Sequence, residues 1–254
     1  MSLEKLAAHI RRATRLTVLT GAGISAGSGV PTFRGAEGLW RRYRPEDLAT
    51  PAAFRRDPVL VWEWYASRRE LVERCLPNPG HDVLARWSHE RGCTVVTQNV
   101  DDLHHKAGTA GVIRLHGSLW ELRCAGLPAA GRARDRGGVC ADDWRDDTVP
   151  FAEMPPRCPR CNGLARPAIV WFGEALRDSD LRAATAATRC DLFIAIGTSA
   201  IVHPAAGLLY EAKRHGAVTA EINPVPTPSS GVVDVAIQGA AEDLLPRLDL
   251  LLSV

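Results

Sequence analysis

Lysine is nearly missing from this 254-residue chain: 28 of the 31 basic residues are arginine, and the lysines are Lys5, Lys106 and Lys213. The arginines occur in short runs such as Arg41-Arg42-Tyr43-Arg44, and the formal net charge is only +2. No basic stripe of the kind that follows a phosphate backbone is present, so direct nucleic-acid binding is not expected. An uninterrupted membrane span is missing too. The uncharged stretch between Asp191 and Glu211 is broken by Gly197, Thr198, Ser199, His203 and Pro204, and it reads as a buried strand, a loop and a helix. The start, Met1-Ser-Leu-Glu-Lys-Leu, lacks the basic end and apolar stretch of a secretory signal, which predicts a cytoplasmic protein. Seven cysteines, an odd number, in such a chain argue against a disulfide framework and for reduced thiols or a metal site.

What is present suits a globular fold, since 46% apolar residues provide a sizeable core. Short apolar and β-branched runs occur at Leu16–Thr20, Thr94–Thr97, Ala168–Trp171, Leu192–Ile196, Val218–Ile222 and Val232–Ile237. Several are apolar on both faces, as buried parallel strands are. Between them lie helical stretches at about 82–90, 178–189, 205–215 and 241–252, and one opened by Asp57 as N-cap with Pro58 in the first turn. Alternating strands and helices predict an α/β class with a Rossmann-like, doubly wound parallel sheet. That domain is expected to comprise residues 1–117 and 169–254. Residues 118–168 break the rhythm with Gly, Pro, Arg and Asp and are expected to form a small cysteine-bearing insert.

Gly21-x-Gly23-x-x-Ala26 follows the first strand, as in loops where small residues let backbone N–H groups approach a pyrophosphate. A structural turn fits so short a pattern as well. An ordinary NAD-linked dehydrogenase would continue with a helix, a strand and an acidic residue about 20 positions on. Instead the chain runs Ser28-Gly-Val-Pro-Thr-Phe-Arg34-Gly-Ala-Glu-Gly-Leu-Trp40, too rich in Gly and Pro for that helix, which argues against hydride transfer. A long loop carrying an arginine is suited instead to cover a ligand and place a cation on its phosphates.

Four blocks, Gly21 to Arg34, Thr97-Gln-Asn-Val-Asp101-Asp-Leu-His104, Leu115-His-Gly-Ser118 and Gly197-Thr-Ser199, closely resemble the signature blocks of the sirtuins. They come in the family's order and span nearly the whole chain. The resemblance implies a Rossmann-like domain with a zinc-ribbon insert, NAD consumed as a co-substrate, and removal of acyl groups from the lysine side chains of proteins. It further implies that Gly21, Ala22, Gly23, Ser25, Ala26, Thr32, Phe33, Arg34 and Trp40 belong to the cofactor loop, with Phe33 shielding the ribose from water. Gln98, Asn99, Val100 and Asp101 would hold the nicotinamide ribose and carboxamide. Gly197, Thr198, Ser199, Asn223, Pro224, Val225 and Ala241 would line the rest of the NAD site.

His116 matches the family's catalytic base, with Asn99 and Asp101 as its catalytic companions. An imidazole with a pKa of about 6.5 suits removal of a proton from a ribose hydroxyl at neutral pH. By position alone His116 reads as a strand-end histidine bonded to the backbone, and within the matched block as the base. A plain deacetylase and a protein mono-ADP-ribosyltransferase are alternatives on the same fold. Oligomeric state is left open, a monomer being acceptable.

Glu63-Trp-Tyr65-Ala-Ser-Arg68 resembles the sirtuin branch that removes succinyl, malonyl or glutaryl groups. Tyr65 and Arg68 stand three apart on an expected helix and share a face; a guanidinium fork and a phenol can together hold a carboxylate. Ala53 falls where that branch has a small residue. The alternative is a surface pair, with Arg68 solvated and Tyr65 in the core. Val170, Phe172, Gly173 and Glu174 resemble the family's substrate-binding strand, which an extended peptide would join by backbone hydrogen bonds.

Cys158-Pro-Arg-Cys161 is half of a tetrahedral zinc site. Leu127 stands where the family's first pair has its second cysteine. Either Cys124, Cys140, Cys158 and Cys161 bind structural Zn²⁺ from a remodelled loop, or the metal is lost and the knuckle survives as hydrogen-bonded turns. Cys75, Cys93 and Cys190 read as buried thiols.

Overall fold

The computed structural model describes residues 3–33, 44–128 and 139–253. Six strands form one parallel sheet: β1 (Leu16–Thr20), β2 (Thr94–Thr97), β3 (Ile113–Arg114), β7 (Leu192–Ile196), β8 (Val218–Asn223) and β9 (Val235–Gln238). A second, antiparallel sheet holds β4 (Gly117–Cys124), β5 (Trp144–Arg145) and β6 (Ala165–Ile169), in the order β5-β4-β6. The helices are α1 (Leu3–Arg12), α2 (Pro45–Leu48), α3 (Pro51–Arg56), α4 (Pro58–Glu73), α5 (Pro79–Glu90), α6 (Leu103–Lys106), α7 (Asp178–Ala187), α8 (Ala205–Arg214) and α9 (Ala241–Leu252).

The parallel sheet runs β3-β2-β1-β7-β8-β9. Strand order therefore reverses beside β1, and a crevice opens at the carboxyl ends of β1, β2 and β7, where open α/β sheets collect ligands. The strands are apolar on alternate residues toward both faces. Val18 and Ile194 face α1, α5 and α9 through Leu6, Ile10, Leu84, Trp87, Leu245 and Leu248. Leu19 and Phe193 pack on the other side against Ala184 of α7 and Leu208, Leu209 and Ala212 of α8. Each such side chain taken fully out of water contributes about 1.5–3 kcal/mol.

Two helix starts matter for the site. Asp57 accepts from Leu60 N at 2.9 Å and Pro58 follows it, which fixes the entry of α4. Asn78 caps α5 through Gly80 N at 3.0 Å, and its Nδ2 donates to Ile24 O at 2.7 Å. The start of α5 is thereby tied to the glycine turn after β1.

The expected strand Ala168–Trp171 is displaced. Its strand is Ala165–Ile169, and it belongs to the antiparallel sheet, where Gly117 pairs with Ile169. An apolar run cannot tell the two sheet types apart, because this strand is also buried on both faces. The run at Val232–Ile237 narrows to β9, with Val232 and Val233 held in a turn by Ser229 O. Among the described residues, no helix is long and apolar enough to cross a membrane.

Candidate active site and metal centre

A cleft of about 810 Å³ lies along the carboxyl ends of the parallel strands and reaches the small sheet. Gly21, Ala22, Gly23, Ala26, Thr32 and Phe33 line it from the loop after β1, and Gln98, Asn99 and Val100 from the end of β2. Gly197, Thr198 and Ser199 follow β7, and Asn223, Pro224 and Val225 follow β8. The glycines allow an approach that no side chain would permit. A Cβ on Gly23 would lie 2.7 Å from Gly197 Cα, and Gly197 itself has φ +59° with its Cβ position 2.5 Å from Ile24 N. The turn, a short 3₁₀ helix Ala22–Ser28, is pinned by Gly23 N donating to Gly197 O at 2.8 Å.

Four sequence candidates stand behind the wall and not on it. Ser25 and Asp101 are buried, and Asn99 Nδ2 donates to Ser25 Oγ at 3.2 Å and to Gly21 O at 3.1 Å. Asp101 Oδ1 accepts from Leu103 N at 3.0 Å; burial holds its carboxyl above the usual range. Ala241 is buried at the start of α9, its backbone beside Gly80. Ala53 is fully buried in the apolar cluster that also contains Tyr65 and Trp171. Arg34 and Trp40 lie outside the described residues.

His116 lines the cleft at the start of β4. Its Nδ1 stands 2.9 Å from Gln98 O, and since a carbonyl only accepts, Nδ1 carries the proton and Nε2 keeps the lone pair. The two sequence readings of this histidine thus coexist: it bonds the backbone and faces the cleft. Burial lowers its pKa, against a smaller opposing effect of the Gln98 bond. Gln98 Nε2 donates to Thr198 Oγ1 at 2.9 Å, joining the ends of β2 and β7.

Tyr65 and Arg68 from α4 also line the cleft, as do Val170, Phe172, Gly173 and Glu174. Arg68 is not the solvated surface residue of the alternative reading: it is 8% exposed, and its guanidinium stacks on Phe33 at 4.8 Å and Trp64 at 5.1 Å. Burial lowers its pKa, and electrostatic interactions with Tyr65 and Asp101 oppose that. Among the lining residues that the sequence did not single out are Trp64 and Trp171. Trp171 sits between two residues of the substrate segment, which was the available signal.

The four insert cysteines converge. The sulfurs of Cys124, Cys140, Cys158 and Cys161 all lie within 4.8 Å of one another, and Cys124 Sγ is 3.7 Å from Cys161 Sγ. A tetrahedral zinc with Zn–S bonds of about 2.3 Å needs sulfurs roughly 3.8 Å apart, so the set fits structural zinc. Leu127 packs instead against the apolar cluster of the small sheet. All seven cysteines are free of disulfides.

Comparison with known proteins agrees with this geometry. The Sir2 family model matches residues 21–204. The NAD-dependent protein deacylase of Aquifex aeolicus is 43% identical over 92% of this chain and 93% of its own length. NAD-dependent protein deacylase 1 of Pseudomonas aeruginosa is 48% identical, covering 93% of each. Among solved structures, a Sir2 homolog–NAD complex superposes with a TM-score of 0.86 at 41% identity, over 98% of this chain and 94% of that one. The chain belongs to the Sir2 family, the sirtuins, and its fold and cleft are those of an NAD-dependent member.

Proposed function

We propose that this sirtuin is an NAD-dependent protein lysine deacylase that prefers acyl groups ending in a carboxylate: succinyl, malonyl or glutaryl. The deacylase reading is supported by the activity named for the relatives in Aquifex aeolicus and Pseudomonas aeruginosa. A more distant Sir2 structure, 28% identical with a TM-score of 0.80, holds a deacetylated p53 peptide and 3'-O-acetyl-ADP-ribose. Bound NAD would supply an electrophilic ribose carbon. The chain's own part is to hold the dinucleotide along the glycine turn, Gln98, Asn99 and Ser199, and to present the neutral Nε2 of His116. Asn99 and Asp101, tied to the turn through Ser25, would order the nicotinamide end.

One observation carries the acyl preference: Arg68 is a buried cation facing the cleft that has no carboxylate within ion-pair distance among the described residues. A buried charge without a directly bonded partner is costly, and a substrate carboxylate would supply that partner. Peptides bearing acetyl-, malonyl-, succinyl- and glutaryl-lysine, followed by nicotinamide release, test it. The acidic acyl peptides are expected to give the higher kcat/KM, and Arg68→Met to lower it for them by roughly 10- to 100-fold, the worth of a hydrogen bond to a charged group. No nicotinamide release with any acyl peptide would end the deacylase reading. An unchanged preference in Arg68→Met would end the carboxylate pocket alone. Reduced cysteines are in keeping with a cytoplasmic setting, which is part of this proposal.

A further inference from the structure

Tyr65 and Trp171 form a directed pair at the acyl end of the cleft. Trp171 Nε1 lies 2.9 Å from the Tyr65 hydroxyl oxygen. An indole N–H can only donate, so the phenol oxygen must accept, and its single proton points away from Trp171. Among the described residues that proton meets no acceptor, although Tyr65 is 4% exposed and lines the cleft. Burial pushes the phenol up to about 12, so it keeps the proton at neutral pH. A buried donor without an acceptor is a deficit that a ligand can fill.

Trp171 is itself held from two sides. The Arg166 guanidinium lies 3.4 Å from the indole centroid and is locked by Glu174 through bonds of 2.6 and 2.8 Å and by Ile169 O at 2.8 Å. Glu174 Oε2 also accepts from Trp171 N at 2.9 Å. Phe54 packs on the indole with centroids 5.3 Å apart. The N–H is thus fixed in space before substrate arrives, and the ordering it imposes on Tyr65 adds no cost at binding.

We infer that Trp171 is a specificity-positioning residue: by donating to the Tyr65 oxygen it turns the Tyr65 proton toward the acyl group, so that the pocket favours a terminal carboxylate and disfavours a methyl. The inference rests on the carboxylate-pocket reading above. It extends that reading from the two residues that would touch the acyl group to a third that acts through one of them. The terminal methyl of an acetyl group offers the Tyr65 proton no acceptor where a longer acyl chain would place its carboxylate, and a site built to hydrogen-bond discriminates against a ligand that cannot reply.

Trp171→Phe keeps an aromatic ring and removes the donor; β-(3-benzothienyl)alanine at position 171 removes it with the bicyclic shape intact, should the Phe variant fold poorly. Either change is expected to lower the ratio of kcat/KM for succinyl- over acetyl-lysine peptide by about fivefold or more, the usual worth of one hydrogen bond. The loss should appear in KM for the acidic substrate more than in kcat. In a Tyr65→Phe background the same change at 171 should add nothing, because the proton it orients is gone. Full additivity with Tyr65→Phe, or an unaltered ratio in both position-171 variants while Arg68→Met abolishes the preference, overturns the inference and leaves the pocket reading standing. Loss of preference in none of the variants, Arg68→Met included, overturns the pocket reading and this inference with it.

Discussion

The Nδ1 atom of His116 and the carbonyl oxygen of Gln98 are 2.9 Å apart, and this one bond decides which imidazole nitrogen can act as a base. Nδ1 is committed as donor, so Nε2 is basic. Burial, the larger influence, lowers the pKa of the ring, and the Gln98 bond only partly restores it. A base works unprotonated, so activity should rise with pH through a value below about 6.5 and be flat around neutrality. The pH profile of kcat/KM for nicotinamide release checks this; an acidic limb centred above 6.5 would remove His116 from the role. His116→Asn should cost about 10²- to 10⁴-fold in kcat/KM while NAD still binds in a calorimetric titration.

His81 and His104 lie behind the glycine turn with ring centroids 5.0 Å apart. Burial lowers His81 to about 4; burial and then the neighbouring His81 lower His104 to about 3. Both are neutral in the folded protein, whereas in the unfolded chain each takes up a proton near pH 6.5. The unfolded state therefore binds more protons below that pH. Their contribution is intact above about 6.5 and is lost as pH falls toward the folded values, at up to about 1.4 kcal/mol per pH unit for each histidine. Urea unfolding at pH 6.5, 5.5 and 4.5 should show a shallower dependence for His104→Gln than for wild type. Equal slopes would mean that His104 is already charged in the native protein.

The cysteine set predicts one zinc per chain. Elemental analysis of the purified protein should find it, and Cys140→Ser, which removes the ligand contributed by the remodelled loop, should lose the metal and lower Tm. Because the cluster packs with Trp144 of the small sheet, the damage should concentrate there, and NAD binding by the larger sheet should survive. A full complement of zinc in Cys140→Ser would show that Cys140 is not a ligand.

Much of this could be read from the chain itself. The parallel strands at Leu16–Thr20 and Leu192–Ile196 occupy the residues their apolar runs marked, because hydrophobic periodicity is a local property. The glycine turn of the cleft was marked by Gly21 and Gly23, which meet Gly197 after β7 where two backbones come too close for a Cβ. What escaped was decided by pairing at a distance. Ala168 and Ile169 read as any buried strand does, and only the partner, Gly117, assigns them to the antiparallel sheet.

The amino-acid sequence by itself determined the α/β class, the order of the turns that line the cleft and the four thiols available to a metal, since each depends on residue type and local spacing. Tertiary structure alone decided that Arg68 is buried with no carboxylate in ion-pair distance among the described residues, that Cys140 reaches the other three sulfurs, and that the Trp171 indole faces the Tyr65 oxygen. Those facts depend on which side chains from separate elements meet, and on how far water is excluded where they meet. Neither quantity is encoded at any one position.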